Sequence, residues 1–301
     1  MTLETFRAWA APLLASGDPR VHAYLKERLT ELIGGDGGHA EKVIGWAREA
    51  GSQDAGLFLS ALRASEAVQL PQVAAKLTEL GLDSRLDAER RAGFLVALDT
   101  QKRLAPEVIA RLAESARDPA SGDAGWAATR TLGRVLSRDL QRGGDAGPYL
   151  DQLLTIGAAS LDEDVRYLAV SMPMHAAPRL DPSTTQRYAR LLASEGSDEV
   201  REAAVHALSL SDDKKGTLAL FASTFAGERD VCVRWALFRF AARLAGKDAL
   251  PVLAEMAVQD PRFQPDYRAF EQIYASGVVD FERVWLSLPS QDPHGCLDRH
   301  S

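Results

Sequence analysis

Asp162-Glu163-Asp164-Val165-Arg166-Tyr167-Leu168-Ala169-Val170 sets out a pattern: an acidic residue, a β-branched residue three positions later, then arginine and a run of small and apolar residues. Ser197-Asp198-Glu199-Val200-Arg201-Glu202-Ala203-Ala204-Val205 repeats it, and so does Asp230-Val231-Cys232-Val233-Arg234-Trp235-Ala236-Leu237. The three arginines stand 35 and 33 residues apart. One helix start per period of that length marks an array of helical hairpins, in which each unit buries its apolar face by stacking on the next.

Outward from this stretch, apolar residues keep helical spacing almost to both ends of the chain. The pattern predicts helices over 3–15, 19–33, 40–50, 54–65, 70–80, 87–99, 105–117, 124–138, 149–159, 163–177, 183–194, 198–210, 214–226, 230–245, 247–258, 263–276 and 279–288. No segment alternates with period two, so strands are not expected. The second helix of each pair opens on Asp18, Asp54, Asp87, Asp123, Asp162, Ser197, Asp230 or Asp260, at intervals of 30–39 residues. Asp and Ser accept hydrogen bonds from the unpaired N–H groups of a first helical turn, so all eight read as N-caps.

Breaks fall where glycine and proline cluster. Gly34-Gly35-Asp36-Gly37-Gly38 cannot stay helical cheaply, and Pro173 should kink the helix it interrupts. Gln141-Arg142-Gly143-Gly144-Asp145-Ala146-Gly147-Pro148 is a candidate sub-domain border at 141–148 within one array spanning 1–288. The turn-rich tail, 289–301, is expected to be disordered.

Asp-x-x-Val-Arg on the second helix of such hairpins resembles HEAT-type repeats, most clearly in 147–177, 183–210 and 214–245. The resemblance implies an all-α fold, a right-handed α-solenoid of about eight HEAT-like hairpins with the second helices on the concave side. His22, Phe58, Ala127 and Gln264 replace the arginine elsewhere, so the outer repeats are irregular or capping units.

Composition bounds the function. The chain has 301 residues, 46% hydrophobic and 26% charged, and a formal net charge of −7. That is a folded chain, and its acidic balance argues against a nucleic-acid partner and suits a basic protein. Two cysteines, Cys232 and Cys296, make no disulfide framework, no segment approaches a membrane span, and Glu4 stands where a signal peptide needs positive charge. The expected location is cytoplasmic, with no membrane partner.

Asp162, Arg166, Arg201, Asp230 and Arg234 read as the structural signature of the repeats, pairing within or between neighbours. Positions 0, 3, 4 and 7 from the valine are apolar and should form the core; positions 2, 5, 6 and 9 point away from it. That second face carries Tyr167, Met174, Val205, His206, Trp235, Phe238 and Arg239, residue types enriched at protein interfaces. It is therefore the expected partner-binding, concave face, although the chain's own tail could equally cover it.

No catalytic, metal or cofactor set stands out. His175 is a lone histidine, and Asp292, His294 and Cys296 lie in the tail. The function expected is a non-enzymatic protein-binding scaffold or adaptor. The alternative is a HEAT-like-repeat DNA glycosylase or damaged-DNA binder, because Trp126, Trp235 and Arg239 imitate part of that family's groove. Deoxyhypusine hydroxylases also resemble this fold, but no His-Glu dipeptide is present to hold their iron.

Overall fold

Capped helix starts organise the chain. The computed structural model describes residues 1–176 and 178–296. It divides into two compact units, Met1–Met172 and Pro173–Ser301. Among the described residues there is no strand, and Leu180 and Ser211 form an isolated bridge. The fold is all-α.

The first unit holds α1 (Leu3–Leu14), α2 (Pro19–Ile33), α3 (Gly37–Glu49), α4 (Ser52–Ala64), α5 (Pro71–Gly81), α6 (Ala88–Leu98), α7 (Pro106–Arg117), α8 (Asp123–Leu140), α9 (Gly147–Ala159) and α10 (Glu163–Ser171). Consecutive pairs pack as hairpins, and the second helices α2, α4, α6, α8 and α10 also pack each on the next. The second unit holds α11 (Pro182–Ser194), α12 (Asp198–Leu208), α13 (Lys214–Gly227), α14 (Val231–Ala245), α15 (Leu250–Gln259), α16 (Gln264–Ala275) and α17 (Phe281–Ser287). Its hairpins are α11–α12, α13–α14 and α15–α16; α12 packs on α14, and α17 on α16.

Close packing depends on missing side chains in two places. A Cβ on Gly81 would lie 2.4 Å from Leu95, and one on Gly133 would lie 2.6 Å from the Met172 Cβ. These glycines let α5 approach α6, and α8 approach the end of α10.

Caps fall mostly where the spacing predicts. Asp18, Asp87, Asp162, Ser197 and Asp230 accept from first-turn N–H groups of α2, α6, α10, α12 and α14. Asp260 caps the short 3-10 turn Pro261–Phe263 that leads into α16. Asp54 and Asp123 are corrections: each lies inside the first turn of its helix, where it faces the dipole, and the N-cap positions are Gly51 and Gly122. Gly37 and Gly38 also depart from expectation. They begin α3, because Asp36 accepts from His39 N at 2.9 Å and holds the first turn.

Pro173 acts as its chemistry requires: α10 stops at Ser171, and residues 172–176 form a 3-10 turn. The division between the two compact units falls here, at Met172/Pro173.

Of the tail 289–301, residues 289–296 make contacts with the second unit, and 297–301 lie outside the described residues. Gln291 Nε2 donates to the Trp285 carbonyl at 3.2 Å, the Asp292 carboxylate accepts from Cys296 N at 2.6 Å, and His294 Nε2 meets Asp266 Oδ2 at 2.9 Å. Cys296 forms a disulfide with Cys232, a single cross-link where the count of two cysteines had suggested no disulfide framework. No helix among the described residues is long and apolar enough to cross a membrane.

Candidate functional site

The signature arginines join neighbouring hairpins of the second unit. Arg201 on α12 donates to Glu228 at 3.0 Å and to the carbonyls of Glu195 and Gly196. Arg234 on α14 donates to Asp260 at 2.8 Å and to the Glu228 carbonyl at 2.7 Å, with its guanidinium over Phe225. Asp260 also receives Arg262. That bond, then burial against it and the Arg234 bond, leaves its carboxyl far below the usual carboxylate range. Arg166, in the first unit, donates to the Ser160 and Leu161 carbonyls. Asp162 and Asp230 serve as caps. These contacts tie helix starts to the neighbouring hairpins.

The face read as solvent-exposed is mostly covered. Trp235 and Phe238 on α14 are 1% and 0% exposed, and Val205 on α12 and Met174 in the 3-10 turn are buried. Tyr167 is half-buried on α10, in the other unit. The exposure expected of this face is therefore corrected, with a physical cause. Trp235 lies 6.1 Å from Phe238, 6.4 Å from Phe263, 6.3 Å from Trp285 and 5.3 Å from His294, centroid to centroid. Phe238 lies 5.4 Å from Phe263 and 6.0 Å from Phe270. Helices α16 and α17 and the strap 289–296 fold over α14, and the disulfide ties the strap to its first turn. Such an aromatic cluster is worth more in an apolar interior than in water.

His206 and Arg239 have another fate. With Phe240 and Arg243 of α14 and Phe281, Glu282 and Trp285 of α17, they line a cavity of about 260 Å³. Arg239 and Arg243 are one helical turn apart and so share a face. The Arg239 guanidinium lies between two rings, 4.7 Å from Phe240 and 5.6 Å from Trp285. Its Nε is buried and meets no acceptor among the described residues. Burial makes Arg239 easier to deprotonate, while the charges of Glu202 and Asp292 oppose that shift.

His206 stacks flat on Phe240 at 4.4 Å, and Arg243 Nη1 donates to its Nε2. That bond needs the neutral ring with the proton on Nδ1. Burial, then Arg243, Arg239 and His175, pull the His206 pKa down to about 4. Neither Arg239 nor Arg243 forms an ion pair with a carboxylate among the described residues. Glu282 stands exposed at the rim. Two guanidiniums and an imidazole between aromatic walls make a chamber suited to an anion.

Sequence spacing did not single out Arg243, Phe281 and Trp285. Arg243 had a signal, four residues after Arg239; the α17 residues had none, because nothing local says α17 lies against α14.

A metal is poorly served nearby. Glu202, Asp230 and Cys232 bring ligand atoms within 4.8 Å of one another, but the sulfur is committed to the disulfide and Asp230 caps α14. Compared with the models of known protein families and with characterised proteins, the chain matches none of them.

Proposed function

We propose that the chain is a non-enzymatic binding module of HEAT-like, right-handed helical repeats, acting as a protein scaffold or adaptor. It anchors its partner by one carboxylate-bearing side chain or chain end in the His206–Arg239–Arg243–Trp285 cavity. The observation that carries this reading is the Arg239 guanidinium, partly buried between two rings with an unsatisfied Nε and no carboxylate in ion-pair contact. A buried cation is costly unless an anion completes it. At about 260 Å³, the cavity lies below the usual range for whole drug-sized ligands and suits a single side chain. The repeating acid caps and the Arg201–Glu228 and Arg234–Asp260 links support the HEAT-like reading.

The partner chemistry in this reading is acidic, whereas the net charge alone suited a basic one. The DNA-glycosylase alternative gains nothing from the site. Trp235 is buried beneath Trp285, Phe263 and His294 and offers no face to a flipped base.

Titration with N-acetyl-Trp-Glu, followed by the His206 imidazole and Trp285 indole NMR signals, tests the proposal. Saturable shifts are expected, with loss of at least about tenfold in affinity in Arg239→Met/Arg243→Met. Shifts that never saturate, or that survive in the double variant, overturn it. Release of a base from alkylated DNA would establish the alternative instead.

A further inference from the structure

The first unit carries a concentration of positive charge that its composition does not lead one to expect. It has 20 Lys and Arg against 24 Asp and Glu. Yet Arg130, Arg134, Arg138 and, just past the helix end, Arg142 follow one another along α8 at four-residue steps, with Trp126 one step before them. Residues four apart share a helix face, so the ladder runs about 6 Å per step and about 18 Å in all.

The surroundings confirm that these side chains cluster in space. Asp99, buried at the C-cap of α6, accepts from Arg63 at 2.7 and 3.0 Å and from Arg130. Arg138 donates to the Asp99 carbonyl, and Arg142 to the Arg138 carbonyl at 2.9 Å. Burial lowers the proton affinity of Arg138, and Arg63, Arg134 and Arg142 lower it further, against the opposing pull of Asp99. The other carboxylate close by, Asp139, is taken by Arg103 at 2.8 Å. Among the described residues no carboxylate pairs with Arg134, Arg138 or Arg142. Arg134 and Arg142 are exposed; so is Trp126, at 41%, with Arg130 5.9 Å from its ring.

Arg63 and Arg130 share the one carboxylate of Asp99, while Arg134, Arg138 and Arg142 repel one another beside them, and an opposite charge from outside relieves that cost. We propose that this face of α8 docks an acidic helix of a partner protein, its carboxylates at four-residue steps against the arginines and an aliphatic side chain against Trp126. A second helix carries the same ~6 Å step, so the two rows match in register. An exposed tryptophan beside arginine supplies the apolar anchor such contacts use. A nucleic-acid strand fits less well: its phosphates run on past the ~18 Å ladder into a unit whose net charge is negative. This surface is independent of the cavity in the second unit.

The test uses two alanine-rich helical peptides of about 20 residues and equal composition, one with glutamate at every fourth position and one with the glutamates spread around the helix. An oligothymidylate of equal charge is the third probe. Fluorescence anisotropy at low salt is expected to show the aligned peptide binding at least about tenfold tighter than either other probe. Arg134→Glu/Arg142→Glu changes two exposed residues and should abolish that preference with the thermal midpoint kept. Arg239→Met/Arg243→Met should leave it intact. Equal binding of the two peptides, binding of the oligonucleotide as tight as the aligned peptide, absence of binding, or an unaffected Arg134/Arg142 variant each overturns the proposal.

Discussion

His206 is held as a neutral base in the cavity, and that has a consequence for stability. Its folded pKa of about 4 lies below the ordinary value of 6.5, so the unfolded chain takes up its proton first. The stability this residue contributes is complete above about pH 6.5 and is lost as pH falls from there toward 4. Over that window unfolding free energy should drop by roughly 2–3 kcal/mol in urea titrations, and His206→Gln should flatten the slope. Asp260 acts in a lower window. Its depressed pKa stabilises the fold above about pH 4, and that contribution is lost only on further acidification. A slope between pH 6.5 and 4 that persists in His206→Gln would reassign the effect. His206 and Arg239 were legible in the sequence only as members of the helix face that points away from the repeat core. Trp235 and Phe238 were misread because helical periodicity reports faces of one helix, and a face is exposed only if nothing distant covers it.

At the scale of the element, the helices were legible because their signals are local. Apolar spacing, caps and prolines act within one or two turns, and all seventeen expected segments contain a helix among the described residues. What failed was a distinction of one to three residues. Asp54 and Asp123 look like caps in spacing, but the chain turns earlier, at Gly51 and Gly122. That difference predicts unequal costs. Asp162→Ala removes an acceptor 3.2 Å from Val165 N and should cost about 1 kcal/mol in urea unfolding. Asp54→Ala loses only its favourable place near the helix dipole and should cost at most about 0.5 kcal/mol. Equal costs would mean the two aspartates do the same work. Gly81→Ala should be worse than either, by about 1–3 kcal/mol, because its Cβ would have to displace Leu95.

For the whole molecule, the least legible feature was the one that closes the second unit. Cys232 and Cys296 lie 64 residues apart, and nothing local to either announces a partner. The disulfide, the Asp266–His294 contact and α17 together hold aromatic surface away from water and build one wall of the cavity. Cross-linking a loop of that length restricts the unfolded chain by roughly 4 kcal/mol on the chain-entropy account. Cys296→Ser should therefore lower the unfolding free energy of the second unit by up to that amount. The first unit has no such tie and should unfold as before. Fluorescence separates the two, since Trp235 and Trp285 report the second unit and Trp9, Trp46 and Trp126 the first. In single-tryptophan backgrounds, Trp285 emission should shift to the red in Cys296→Ser and in reduced protein under native conditions, with Trp126 emission unchanged. N-acetyl-Trp-Glu should also lose affinity, because Trp285 is then free to leave Arg239. If Trp285 emission and the unfolding midpoint both stay put, α16 and α17 hold the cover without the sulfur link, and the strap is an ornament of the fold instead of its clasp.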